Sequence, residues 1–354
     1  MKVLSIVGAR PQFVKLAPIA HALDRAGHEH VIVHTGQHYD AKMSDVFFTD
    51  LAIPAPDVHL GVGSGSHGVQ TGAMLSQLDE VLLDHDPDWV LVYGDTNSTI
   101  AGALAAVKLH YPLAHLEAGL RSFNRRMPEE HNRVLTDHAA DLCLAPTEMA
   151  RDHLAAEGLA ERAVVTGDVM TDVCLSIADR VRDTPPDLPG GLAAGEYILS
   201  TIHRAENTDD AERLSAIINA LAALPHPVLL TAHPRLVAKA GEHGIDLDQG
   251  ALTTIEPLDY PAMVSAVMHA RAVVTDSGGL QKEAFLLRTP CTTVRTETEW
   301  TETVDLGWNV LVTDLSALPE MVNRPAPTPT DAAPYGDGDA ATRTVQALAS
   351  HVRQ

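Results

Sequence analysis

Short apolar runs, each about one strand long, alternate along the chain with longer segments whose apolar positions recur at helical spacing. In the first half the runs fall at 3–7, 31–35, 90–93, 113–116, 142–145 and 164–166. Helical segments lie between them at 15–26, 70–83, 99–109, 130–140 and 147–157. The second half repeats the theme, with runs at 197–201, 228–231, 253–255, 272–275, 292–294 and 310–313. Its helical segments are 211–224, 262–269, 280–287 and 341–352. Nearly unbroken apolar strands suit a parallel sheet covered on both faces. Strict alternation of strand and helix therefore predicts α/β architecture with two doubly wound, Rossmann-like sheets. Residues 183–195, Asp-Thr-Pro-Pro-Asp-Leu-Pro-Gly-Gly-Leu-Ala-Ala-Gly, have the composition of a linker. The expected domains are 1–182 and 196–333, with 334–354 carrying a terminal helix. Sheets of this kind usually face each other, so a ligand is expected between them.

Composition narrows the partners. With 47 acidic and 25 basic residues the chain carries a net charge of −22, which opposes nucleic acid and anionic membrane surfaces. A small anion remains compatible, because a few arginines set the local potential of a cleft. The N-terminus begins directly as a strand, and no apolar run approaches the ~18 residues of a membrane span. A cytoplasmic protein is expected. The 3 cysteines are far apart in sequence and form no C-x-x-C pair. None of the 19 histidines falls in an H-E-x-x-H frame, so no metal is expected.

Candidate chemistry gathers where strands end. Residues 114–133 hold Glu117, Arg121, Glu129, Glu130, His131, Asn132 and Arg133 just after an apolar strand. In open α/β sheets ligands sit outside the carboxyl ends of strands. Gly94-Asp95-Thr96 ends the preceding strand, and Asp95 reads either as a helper at the next helix start or as a catalytic acid beside Glu117. Gly8-Ala9-Arg10-Pro11 followed by Lys15 reads as an anion-binding helix start or a solvated turn. His203-Arg204-Ala205-Glu206-Asn207 follows the first strand of the second half, where His203 suits proton transfer or a leaving phosphate. Asp276-Ser277-Gly278-Gly279 before a helix lets backbone N–H groups approach an anion, and Glu283 lies one turn on, within reach of a ribose diol. Arg295 closes a short strand, and of Glu297, Glu299 and Glu302 after it one is expected to act and the others to be solvated. Gly63-Ser-Gly65-Ser-His-Gly68 matches G-x-G-x-x-G formally but follows no convincing strand, so it is expected to be a loop and not a nicotinamide site.

Taken together, these segments resemble the non-hydrolysing UDP-N-acetylglucosamine 2-epimerase family. The matching runs are Gly8 to Pro18, Gly94-Asp95-Thr96, His115 to Arg121, Pro128 to Arg133, His203 to Asn207, Asp276 to Glu283 and Pro334-Tyr-Gly-Asp-Gly338, in family order. The resemblance implies a two-domain fold of glycosyltransferase-B type, whose terminal helix packs back on the first domain after the 334–338 turn. It implies interconversion of UDP-GlcNAc and UDP-ManNAc with no cofactor and no metal, by a homodimer. UDP is expelled to leave a 2-acetamidoglucal and returns with inversion at C2. Asp95, Glu117, Glu129 and His203 are then the catalytic candidates. Arg10, Lys15, Arg133, Arg204, His233, Ser277, Gly278, Gly279, Glu283 and Arg295 would bind the UDP-sugar substrate. Residues 39–43 depart from the bacterial pattern around an allosteric UDP-GlcNAc, which leaves that site unassigned. Residues 295–300 resemble the branch acting on UDP-2,3-diacetamido-2,3-dideoxyglucuronate, an alternative substrate. A hydrolysing homologue and a UDP-sugar glycosyltransferase are further alternatives.

Overall fold

The computed structural model describes residues 1–37, 53–186 and 188–351. The 39–43 departure lies outside the described residues. The chain divides into two compact units, Met1–Val173 with Ala333–Gln354, and Cys174–Ala332.

The first unit runs β1 (Lys2–Val7), α1 (Arg10–Arg25), β2 (Glu29–His34), β3 (Val58–His59), α2 (His67–His85), β4 (Trp89–Tyr93), α3 (Asn97–Lys108), β5 (Leu113–Leu116), α4 (Pro128–Ala139), β6 (Leu142–Ala145), α5 (Glu148–Ala156) and β7 (Ala163–Val165). Helix α6 (Val169–Val181) carries the chain into the second unit. All strands pair parallel, in the order β3-β2-β1-β4-β5-β6-β7. The two faces of β1 explain the layers. Val3 and Val7 pack with Phe13, Leu16 and Leu23 of α1, while Leu4 and Ile6 pack with Met74, Leu78 and Leu82 of α2.

The second unit continues with β8 (Ile198–Thr201), α7 (Ala205–Thr208), α8 (Ala211–Ala222), β9 (Val228–Thr231), α9 (Pro234–His243), β10 (Leu252–Ile255), α10 (Tyr260–His269), β11 (Ala272–Thr275), α11 (Gly278–Leu286), β12 (Cys291–Thr293), α12 (Thr301–Asp305), β13 (Asn309–Leu311) and α13 (Leu318–Val322). Its sheet is also parallel, ordered β10-β9-β8-β11-β12-β13. One face is closed by Leu214, Ile217, Ile218 and Leu221 of α8, the other by Ala266 and Val267 of α10 with Leu280 and Ala284 of α11.

Helix α14 (Ala340–Ser350) belongs to the first unit. Its Val345 and Leu348 are buried with Phe13, Leu16 and Leu23, each contributing about 1.5–3 kcal/mol of burial. The Trp89 indole N–H donates to Leu348 O at 3.1 Å. At its start, the Asp172 carboxylate accepts from Ala340 N at 3.0 Å and Ala341 N at 2.7 Å. The returning chain touches the first unit where Gly167 meets Gly336: a Cβ on Gly336 would lie 3.4 Å from Gly167 Cα, and Gly167 itself has a left-handed φ of 94°.

Five helices fall outside the segments read from the sequence: α6, α9 and the one-turn α7, α12 and α13. α6 is rich in Val, Thr, Cys and Ser, weak helix formers, although Val173, Cys174, Ile177 and Ala178 bury one face. α9 buries only Leu236 and Ala240, so its apolar pattern is thin. The division between units falls inside α6, ahead of the Pro/Gly stretch at 183–195. Residues 63–66 precede α2 as a loop. Among the described residues no helix is long and apolar enough to cross a membrane.

Both sheets reverse their winding at one place, between β1 and β4 and between β8 and β11. At such a switch point neighbouring loops run to opposite faces and open a crevice. Most candidate residues follow these four strands and β5, next to β4, while His233 follows β9 and Arg295 follows β12.

Candidate active site

In the first unit the switch point is held by Gln12. Its Oε1 accepts from Gly8 N and Ala9 N at 2.8 and 3.0 Å, and its Nε2 donates to Tyr93 O at 2.8 Å. The ends of β1 and β4 are thereby tied together. Lys15, one turn into α1, forms a part-buried ion pair with Glu117 at the end of β5. Burial favours the neutral amine, but the charges of Glu117, Asp168 and Asp95 outweigh it and hold Lys15 above the ordinary lysine value. Glu117 has a φ of 74°, a left-handed backbone that costs a non-glycine residue about 1–3 kcal/mol. Gly94 leaves room for the pair: a Cβ there would lie 3.3 Å from Glu117 Oε2 and 3.6 Å from Lys15 Nζ.

The loops bearing Asp95 and Glu117 share a buried anchor. His115 lies between Asp137 Oδ1, 2.6 Å from Nδ1, and Gly94 O, 2.7 Å from Nε2. Asp137 Oδ2 accepts from Gly119 N at 3.1 Å and pairs with Arg121 at 2.7 Å. Burial disfavours the Asp137 carboxylate, yet His115 and Arg121 hold its pKa below the usual range. Arg121 also forms a two-pronged pair with Glu157 at 2.8 and 2.7 Å.

The start of α4 supplies the remaining acids. Asp95 receives Arg133 Nε at 2.9 Å and Nη2 at 2.7 Å, and Asp95 O accepts from Asn132 at 2.8 Å. Thr96, and not Asp95, caps α3, its hydroxyl accepting from Thr99 N. Glu130 is buried and structural. Its carboxylate accepts from Ser122 N, Ser122 Oγ, Phe123 N and Arg133 at 2.6–2.9 Å, which outweighs burial and holds its pKa down. Glu129 beside it is half-buried, with no hydrogen bond or ion pair among the described residues.

In the second unit Asp276, fully buried at the end of β11, organises the turn after β8. It accepts from His203 N at 3.1 Å, Arg204 N at 3.0 Å and Asn207 Nδ2 at 3.0 Å, with His203 Nδ1 at 3.3 Å. The rings of His203 and His233 lie 5.0 Å apart. Burial pushes the His203 pKa down against the pull of Asp276, and His233 and Arg204 push it further. A neutral imidazole is thus held beside a carboxylate, the state from which it can accept a proton.

Ser277 caps α11 with its side chain, and Gly278 and Gly279 form the first turn. Such a turn presents backbone N–H groups and the positive end of the helix dipole. Gly279 is exposed, with nothing within 4 Å of a Cβ added to it. Arg204 Nε donates to Asp276 O at 2.8 Å, and buried Arg295 pairs with Glu299 at 2.8 Å. The Tyr260 hydroxyl donates to Glu283 Oε1 at 2.8 Å.

The structure thus gathers Asp95, Arg133, Lys15 and Glu117 in the first unit, and His203, His233, Arg204, Ser277, Gly278 and Arg295 in the second. Arg10 opens α1, but its side chain lies outside the described ones. Glu129 makes no ion pair among the described residues, and Glu283 meets the Tyr260 hydroxyl from within α11. Asp276, Asp137, His115 and Gln12 were not among the sequence candidates. Each is a polar residue fully or almost fully buried, Asp276 directly after β11, His115 within β5, Gln12 in the first turn of α1 and Asp137 in α4. The available signal was a carboxylate directly after a short, fully buried strand, as at Asp276.

Two doubly wound units, each with polar residues gathered at its switch point, define a glycosyltransferase-B-like fold. The family model described as UDP-N-acetylglucosamine 2-epimerase matches residues 21–349, and the chain belongs to that family. It is similar to UDP-2,3-diacetamido-2,3-dideoxy-D-glucuronate 2-epimerase of Pseudomonas aeruginosa, with 46% identity over 99% of each chain. It is also similar to the solved UDP-GlcNAc 2-epimerase of Methanocaldococcus jannaschii, with 37% identity, a TM-score of 0.85 and coverage of 99% and 100% of the two chains. A second structure of that enzyme, in complex with UDP-GlcNAc and UDP, matches with 38% identity, a TM-score of 0.78 and the same coverage.

Proposed function

We propose that this epimerase inverts C2 of a UDP-2-acetamido sugar without net hydrolysis, its first substrate being UDP-GlcNAc and the product UDP-ManNAc. The observation that carries the reading is the grouping of Asp95 and Glu117, with Lys15 and Arg133, at neighbouring strand ends beside a switch point. H2 of the sugar is not α to a carbonyl, so direct abstraction is very unfavourable. Breaking the C1–O bond to UDP while a base takes H2 gives a neutral 2-acetamidoglucal. UDP then re-adds to C1 as an acid protonates the opposite face of C2. That sequence needs a base, an acid and a binding site for the departing diphosphate.

The first unit carries proton-transfer chemistry. Glu117, paired with Lys15, suits the base, with Asp95 and Glu129 as the acid candidates for the other face. The second unit carries anion chemistry. Ser277, Gly278, Gly279, Arg204 and Arg295 would hold the diphosphate, Glu283 the ribose, and His203 with His233 the leaving oxygen. Arg10 and Arg133 complete the substrate set. The active species in this reading is a cytoplasmic homodimer that uses no metal or redox cofactor.

A second reading concerns the sugar. The 46% identity to the Pseudomonas aeruginosa enzyme favours UDP-2,3-diacetamido-2,3-dideoxyglucuronate as an alternative substrate with the same C2 chemistry. Proton NMR in D₂O with each nucleotide sugar, and no added cofactor, separates the readings. Interconversion with deuterium entering at C2 is the expected result, and the sugar that turns over names the substrate. Release of free UDP and free sugar would instead indicate hydrolysis.

A further inference from the structure

One acid of the second unit stands where an anion is expected. α11 begins at Gly278, and a Cβ added to Gly278 would run into Glu299 Oε1. Glu299 is held there by two arginines. Its Oε2 lies 2.8 Å from Arg295 Nη1, and its Oε1 lies 3.8 Å from Arg204 Nη2. Both guanidinium groups are fixed from behind or by burial. Arg204 Nε donates to Asp276 O at 2.8 Å, while the Arg295 side chain is only 7% exposed. Arg295 Nε is buried with no hydrogen-bond partner among the described residues, and Glu206 is 3.9 Å away. Arg295 therefore keeps an unused donor. Glu299 itself is 45% exposed and lies on the segment between β12 and α12, outside any helix or strand. Moving it breaks no secondary structure.

Resting on the diphosphate reading above, we propose that Glu299 is a substrate-displaced carboxylate that occupies the anion cradle of the second unit until the nucleotide diphosphate takes its arginines. Carboxylate and phosphate compete for the same donors, a helix start and planar guanidinium forks. The carboxylate keeps Arg204 and Arg295 oriented in the free enzyme. It also lowers apparent affinity, because only the fraction of molecules with the cradle open binds the ligand. A diphosphate brings more charge than the single carboxylate it replaces.

The test is calorimetric titration of UDP, and separately inorganic pyrophosphate, into the full-length protein at low salt. Wild type, Glu299→Gln, Glu299→Ala and Glu297→Gln are compared. Glu297 is exposed on the same segment, so its variant controls for the change in net charge. Both Glu299 variants should bind UDP about three- to tenfold more tightly, as expected for removing a partly solvated competing carboxylate, and Glu297→Gln should match wild type. Unchanged or weaker binding by the Glu299 variants, with wild type binding UDP, would overturn the proposal and leave the diphosphate reading intact. Equal tightening by Glu297→Gln would also overturn it, in favour of net charge alone. If wild type binds neither ligand and Glu299→Gln binds pyrophosphate, the displaced carboxylate stands and the nucleotide reading falls. If no variant binds either ligand, both fall.

Discussion

Glu117 combines a left-handed backbone, an ion pair with Lys15 and a strand end beside Asp95. Replacing it with Gln preserves shape and removes the charge. Glu117→Gln is expected to lower turnover ~10²-fold or more, the range for a positioned acid or base, with UDP affinity unchanged because the anion chemistry lies in the second unit. Initial rates by coupled assay and a UDP titration check this; unaltered turnover would take Glu117 out of the catalytic set. At this scale the sequence was legible where chemistry follows a strand directly. It was silent on partners. Nothing in the run Pro128 to Arg133 distinguishes Glu130, buried among four donors, from Glu129, which makes no such bond. Nor does it disclose that Asp137, in mid-helix, joins His115 to Gly119, because those contacts span about twenty positions of chain.

At the scale of elements, α11 shows why one glycine of a pair is the better probe. Gly278 abuts Glu299, so a side chain there disturbs the free protein. Gly279 has open space where its Cβ would be, so Gly279→Val should fold normally and crowd only a bound ligand. The expectation is about tenfold weaker UDP binding with a thermal midpoint within a degree or two of wild type. Normal affinity would count against the helix start as the phosphate site. The apolar pattern located most strands, since each is a short buried run between polar turns. It missed α6 and α9, whose buried faces are made of few or weakly helix-forming residues, and α7, α12 and α13, which are four or five residues long and too short to show a helical period. It also missed β3, only two residues long and joined to the sheet edge by backbone pairing that composition does not encode.

At the scale of the whole molecule, pH dependence of stability has an identifiable source. His30, in β2, contacts Ser5 Oγ at 2.8 Å, and burial pushes its pKa down to about 4 against the pull of Asp57. Its folded pKa is below the unfolded value, so the unfolded chain binds the extra proton first. Stability from this group is full above about pH 6.5 and is lost as pH falls toward 4, by up to about 3 kcal/mol. Urea melts at pH 7 and pH 4.5 should show a smaller loss in His30→Asn than in wild type; equal losses would place the acid sensitivity elsewhere. The parallel sheets and their number follow from alternation, which is global and repeated. The assignment of α14 to the first unit does not, because it rests on contacts such as Trp89 to Leu348, separated by 259 positions.

That last contact bears on how the chain is made. The first unit is built from two separate stretches of chain, with residues 174–332 between its parts. At 5–20 residues per second, roughly fifteen to sixty-five seconds of synthesis separate α1 from the helix that covers it. During that interval Phe13, Leu16 and Leu23 lack their cover, and the second unit's sequence is complete before that cover is made. The first half to leave the ribosome is therefore the last to be finished.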